Sequence, residues 1–202
     1  MKKILILAVL IVFSFSNVNA QDGVDKVVNQ AKNGGFYAGA NLGLAVSSAS
    51  KDFGSFNFGF DLAYLFEVME NLEVGLLVGY TQFVADGGYS YEVYEGKGDT
   101  TTVRFDYKDA SFIPISSSAR YYFNDRRFFG GLDLGYAVIV NGDADSGFYV
   151  RPKFGFNLGV ITLIASYQSI SGGIDYYEGP GSSNNLTLSG FNSFNAGAEF
   201  SF

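Results

Sequence analysis

The sequence predicts an all-β protein, an eight-stranded antiparallel transmembrane β-barrel, and three observations carry that expectation. Of the 202 residues, 48% are hydrophobic and only 16% charged, where soluble domains hold about a quarter charged. Beyond the first twenty residues no apolar run approaches the roughly 18 needed for a helical span. Apolar side chains instead recur at every second position, the period of a strand with two unlike faces.

Lys2 and Lys3 precede an apolar run from Ile4 to Phe15, and Val18-Asn19-Ala20 places Val and Ala at the two recognition positions of a cleavage site before Gln21. That is the layout of a secretory signal peptide over residues 1–20. Twelve residues, all apolar but Ser14 and rising about 1.5 Å each, are too short to cross about 30 Å of hydrocarbon. Residues 21–33 are expected to form a short periplasmic lead-in and residues 34–202 the barrel. The full chain carries a net charge of -7, and losing the leader with its two lysines takes it to about -9. Nucleic acid is therefore not an expected partner.

Eight strands follow in order. Phe36 to Val46 sets Phe36, Ala38, Ala40, Leu42 and Leu44 against Tyr37, Gly39, Asn41 and Gly43. Phe53 to Phe66 gives the clearest split, Phe56, Phe58, Phe60, Leu62 and Tyr64 against Ser55, Asn57, Gly59, Asp61 and Ala63. The third sets Leu72, Val74, Leu76 and Val78 against Glu73, Gly75, Leu77 and Gly79. The fourth is read as one long strand from Val103 to Phe123, with Pro114 marking a bulge or an interrupted ladder. The fifth sets Leu132, Leu134 and Tyr136 against Asp133 and Gly135, and the sixth Phe148, Val150 and Phe154 against Tyr149, Arg151 and Lys153. In the seventh, Ile161 to Ile170, Ile164 and Ile170 spoil the polar face; the eighth runs from about Leu188 to Phe202.

Connections alternate between long (Ser47–Asp52, Ala85–Thr101, Asn141–Gly147, Ser171–Thr187) and short (Glu67–Asn71, Asn124–Arg127, a turn near Gly159). Long loops outside and short turns in the periplasm are the habit of outer-membrane barrels. Phe36, Tyr37, Tyr64, Phe66, Tyr121, Tyr122, Phe123, Phe128, Phe129, Phe200 and Phe202 cluster at the short-turn end and are expected to form an interfacial girdle. A soluble lipocalin-type barrel is the competing all-β reading. It would need the Gly, Ser, Asn and Ala face to meet water, whereas such small residues suit a narrow lumen.

The last eight residues, Asn195 to Phe202, place a polar residue, Gly197 and the alternating Phe200 and Phe202 at the chain's end. This resembles the C-terminal assembly signal of outer-membrane proteins. With the leader and eight strands, the sequence is similar to the small OmpA/OmpX-like outer-membrane β-barrel domains, often called porin-family proteins. Ile113-Pro114-Ile115 and Ala119-Arg120-Tyr121-Tyr122-Phe123 resemble a recurrent strand of that family. The resemblance implies bacterial outer-membrane lipid as surroundings and recognition of Asn195, Gly197, Phe200 and Phe202 by the barrel-assembly machinery.

Histidine, cysteine and tryptophan are absent, which removes thiol nucleophiles, Cys/His zinc sites and Ser-His-Asp relays. Neither enzymatic activity nor a metal or cofactor is expected. The expected chemistry is a lumen charge network, Asp61, Glu73, Asp133 and Glu199 with Arg104, Arg120, Arg151 and Lys153, since buried charges need partners. Paired, these fill the barrel; unpaired along one path, they would line a narrow porin-like channel. Tyr89, Tyr91, Tyr94, Tyr176 and Tyr177 enrich the outer loops and offer amphipathic contact area for a surface ligand or adhesion partner. The Tyr89–Tyr94 segment is expected to project as a hairpin.

Overall fold

The computed structural model describes residues 34–46, 56–85, 88–94, 100–106, 109–142, 144–176 and 186–202. The leader and lead-in expected over residues 1–33 lie outside the described residues.

Ten strands occur among the described residues: β1 (Gly35–Ala45), β2 (Phe56–Met69), β3 (Leu72–Val84), β4 (Gly88–Tyr94), β5 (Thr100–Asp106), β6 (Ala110–Phe123), β7 (Phe128–Asn141), β8 (Gly147–Asn157), β9 (Ile161–Tyr176) and β10 (Leu186–Ser201). Eight of them close into an antiparallel barrel in the order β1-β10-β9-β8-β7-β6-β3-β2, and β4 and β5 pair separately as a two-stranded sheet. Closure leaves the barrel no free edge. Its seam pairs β1 with β10 from Tyr37↔Ser201 to Ala45↔Ser193, and the Phe202 N–H donates to the Phe36 carbonyl at 2.9 Å.

The expected fourth strand is therefore two elements. Val103 to Asp106 belongs to β5, paired with β4 from Gly88↔Asp106 to Tyr94↔Thr100, and the barrel strand begins at Ala110. One alternation pattern ran through both segments, and nothing in it marks where the chain leaves the barrel wall. Arg104 accordingly sits on β5 opposite Ser90, not in the wall. Pro114 does interrupt a ladder: β3–β6 pairing passes from Val78↔Ile115 to Thr81↔Phe112 with the same register but no pairs between. A proline has no N–H to donate. Pro152 leaves the same kind of gap between Tyr149↔Ile170, Val150↔Ser169 and Lys153↔Ser166 on the β8–β9 side.

Short turns join β2 to β3, β6 to β7 and β8 to β9. Gly159 takes φ +104 in the last, which favours a residue without Cβ. At this end the expected girdle divides by parity. Phe36, Tyr64, Tyr121, Phe123, Phe200 and Phe202 are exposed on the outer wall, whereas Tyr122 and Phe129 are buried and Tyr37 hydrogen-bonds to Glu73 inside. The correction is simple: each of the three is one residue from an outward neighbour and must point the other way.

The wall is inverted relative to a water-soluble protein. Phe60, Leu62, Leu76, Ile115, Leu134, Phe148 and Phe194 are exposed on its outside, while Glu73, Arg120, Asp133, Arg151, Lys153 and Glu199 are buried.

Candidate functional site

Polar chemistry is concentrated along the barrel axis, and period-two geometry places it there: residues whose neighbours face outward project into one narrow space. Taken from the long-connection end, the lumen is filled in layers. First comes an apolar cluster with Phe83, Phe112, Phe191, Tyr149 and Ile170 fully or almost fully buried. The three phenylalanine rings pack together, with centroids 5.1 Å apart for Phe83 and Phe191, 5.1 Å for Phe112 and Phe191 and 6.3 Å for Phe83 and Phe112. Below it, Asn57 Nδ2 donates to Asn195 Oδ1 at 2.8 Å and Gln168 Nε2 to Thr81 Oγ1 at 3.3 Å.

The next layer holds four charges. Arg151 donates from Nε to Asp133 Oδ2 at 2.8 Å and from its terminal nitrogen to Asp61 Oδ2 at 2.7 Å. Lys153 Nζ donates to Asp133 Oδ1 at 2.7 Å and to Ser118 Oγ at 3.1 Å. Asp133, with two basic partners, is wholly buried. Beside this layer, a cavity of about 20 Å³ is lined by Asn41, Asp61, Arg151, Lys153 and Glu199, room for about one water molecule.

Arg120 and Glu199 form the third layer through two parallel bonds of 2.6 Å, the bidentate geometry a planar guanidinium favours. The Arg120 guanidinium also lies 4.6 Å from the Tyr37 ring centre and 4.9 Å from that of Phe129. At the short-turn end, Glu73 Oε2 accepts from the Tyr37 hydroxyl at 3.0 Å and the Tyr122 hydroxyl at 2.9 Å, and Glu73 Oε1 pairs with Arg126.

Seven of the eight residues expected in the lumen network thus lie in it, in three groups, and Arg104 is replaced by Arg126. Arg126 comes from the β6–β7 turn, where face alternation says nothing. The apolar cluster is a second feature beyond the expected network. Phe83 continues the parity of Glu73, Leu77 and Thr81, and Phe191 that of Asn195 and Glu199, so extending each face to the strand's end would have found it. Ile170, which disturbs a polar face on β9, belongs to this cluster.

The C-terminal residues have structural roles of their own. Asn195 bridges Asn57 and Ser193, the latter through Nδ2 to Oγ at 3.0 Å. A Cβ on Gly197 would come within 2.5 Å of the Ala40 carbonyl oxygen across the seam. Phe200 and Phe202 are exposed on the outer wall. Tyr89, Tyr91 and Tyr94 lie on β4, opposite Phe105, Val103 and Thr100, and Tyr176 ends β9 opposite Leu186; Tyr177 lies outside the described residues.

Fold and interior together define a class: a closed eight-stranded antiparallel β-barrel with an apolar exterior and an ion-paired, side-chain-filled interior. No protein-family model matches the sequence, and no curated protein matches it. In structure the chain is similar to Neisserial surface protein A (NspA), at 17% identity over 84% of this chain and 97% of that one, with a TM-score of 0.43. It is also similar to Ail, the attachment invasion locus protein of Yersinia pestis, solved with the heparin analogue sucrose octasulfate, at 16% identity, 84% and 97% coverage and a TM-score of 0.41. A third likeness is to the β domain of the Bordetella autotransporter BrkA, at 15% identity, 84% and 99% coverage and a TM-score of 0.29.

Proposed function

We propose that this chain is an integral protein of a bacterial outer membrane, exported by a cleaved leader, with a structural role in the envelope and a barrel that does not conduct. The observation that carries the reading is the inverted wall. Each large side chain such as Phe60, Leu62 or Phe148, exposed on the outside, forgoes about 1.5–3 kcal/mol of burial in water and regains it in hydrocarbon. Strands crossing as a closed barrel satisfy every ladder hydrogen bond without water. Outer-membrane lipid is the partner of this surface, and the barrel-assembly machinery reads Asn195, Gly197, Phe200 and Phe202.

A plug rather than a path is supported by the stack itself. Lumen charges are engaged in ion pairs at 2.6–2.8 Å, and the phenylalanine cluster lies between them and the long-connection end. The same pairing speaks against enzymatic work, because a carboxylate bound by arginine or lysine is a poor acid or base. Fractionation with heat-dependent gel mobility tests the location, and a planar-bilayer recording on the same sample tests the plug. Folded protein in the outer-membrane fraction without steady conductance is expected; a stable ohmic pore would overturn the plug, and recovery as a water-soluble monomer would overturn the location.

A second reading rests on the β4–β5 sheet, which is hydrogen-bonded to no other strand among the described residues. Two such strands offer open edges to which an extended segment of a surface partner can add, with Tyr89, Tyr91 and Tyr94 contributing contact area. Deleting residues 88–106 while retaining the barrel distinguishes an adhesive from a purely structural role.

A further inference from the structure

Two acidic residues face each other where the barrel wall meets its short turns. Glu67 on β2 is the direct cross-strand partner of Glu73 on β3, an arrangement that sets the Cβ atoms of two like-charged side chains about 5 Å apart and opposes pairing. Arg126 resolves the conflict from outside the sheet, reaching Glu67 Oε1 at 3.3 Å and Glu73 Oε1 while its guanidinium lies 4.2 Å from the centre of the Tyr122 ring. Two carboxylates and an aromatic face are a complementary set for a planar cation. Both carboxylates have partners besides Arg126: the Tyr37 and Tyr122 hydroxyls donate to Glu73, and the Asn71 N–H donates to Glu67 Oε1 at 3.4 Å.

The way Arg126 is delivered is costly. Asn124, Asp125 and Arg126 have φ of 52°, 55° and 61°, three successive non-glycine residues in the left-handed region. Asn and Asp tolerate this conformation; Arg does so poorly. Arg120 makes the comparison useful. It has related chemistry, one carboxylate and two rings in place of two carboxylates and one ring, yet sits on a strand with 1% of its side chain exposed, whereas Arg126 leaves 38% exposed. One guanidinium is built in; the other is held from a strained turn at an open mouth.

We propose that the short-turn mouth of the barrel is a guanidinium-binding site that the chain fills with its own Arg126, and that a free alkylguanidinium, or an arginine side chain presented by a partner, displaces it. Displacement relaxes the turn, which offsets part of the cost of removing a tethered group.

The test is chemical rescue on the folded full-length barrel in micelles, with ethylguanidinium as the probe. Arg126→Ala should lower the midpoint of heat-dependent gel mobility by several degrees. Millimolar ethylguanidinium should restore most of that loss, while tetramethylammonium or sodium at equal ionic strength should not, and Glu73→Gln added to Arg126→Ala should abolish the rescue. Equal restoration by sodium or tetramethylammonium, or none by ethylguanidinium, overturns the site. Displacement is read separately in the chain with Arg126 intact. A spin label on Asp125→Cys, the sole cysteine, should become more mobile as ethylguanidinium rises and saturate; a spectrum unchanged through that range overturns displacement, whether or not Arg126→Ala folds.

Discussion

Arg120 and Glu199 meet across the barrel interior, β6 to β10, through two bonds of 2.6 Å with both side chains almost entirely out of solvent. The pair lies between the four-charge layer and the short-turn mouth, so each partner is the other's answer to desolvation. Removing one leaves an uncompensated charge almost entirely out of bulk solvent. Arg120→Met should therefore destabilise the barrel by about 3–5 kcal/mol, while Arg120→Met combined with Glu199→Met should recover most of that loss. Urea unfolding of the three proteins in the same micelle checks it, and equal cost for the single and double changes would show that the pair is not the source.

Facing is tested by two neighbours on β2. Phe60 is exposed on the outer wall, while Asp61 accepts from Arg151 and Asn41 inside. Phe60→Arg should impair folding into vesicles by about 2–4 kcal/mol. Asp61→Asn should cost less, because Arg151 keeps Asp133. Equal tolerance of the two would contradict the assigned faces.

Seam packing gives a third expectation. An added methyl at Gly197 meets the Ala40 carbonyl oxygen at 2.5 Å, whereas at Gly130 nothing lies within 4 Å. Gly197→Ala should destabilise by about 1–3 kcal/mol and Gly130→Ala should be close to neutral, read as shifts in the same unfolding midpoint.

The apolar cluster supplies a fourth. Phe83 is fully buried against Phe112 and Phe191, so Phe83→Ala should cost about 3–5 kcal/mol. It should still produce no steady conductance in a planar bilayer, because the ion-paired layers beneath remain in place.

How much of this was readable beforehand follows from the physics of a strand. Alternation alone carries the barrel class and assigns Arg151, Lys153 and Asp133 to one face, since a period of two leaves no freedom once one neighbour is known to be outside. It fails where the chain leaves that period. Val103 to Asp106 alternates as well as any barrel strand, yet pairs with β4. Arg126 enters the lumen from a turn, and its role depends on the opposition of Glu67 to Glu73, the last pair of the regular β2–β3 register before the irregularity between Glu67 and Met69. Tyr37, Tyr122 and Phe129 were drawn into the girdle by residue type, when their parity already placed them inside.

The central claim is that adjacent side chains of this wall live in opposite media, and the absence of tryptophan from the chain permits a direct measurement. Phe128 contributes to the outer ring cluster with Phe123, Phe154 and Phe156, and Phe129 is buried beneath Arg120. Single Phe128→Trp and Phe129→Trp proteins, folded into bilayers with brominated acyl chains, place a reporter at one depth on either side of the wall. Strong quenching at position 128 with little at 129 is the predicted result; equal quenching at both, or the reverse order, would contradict it.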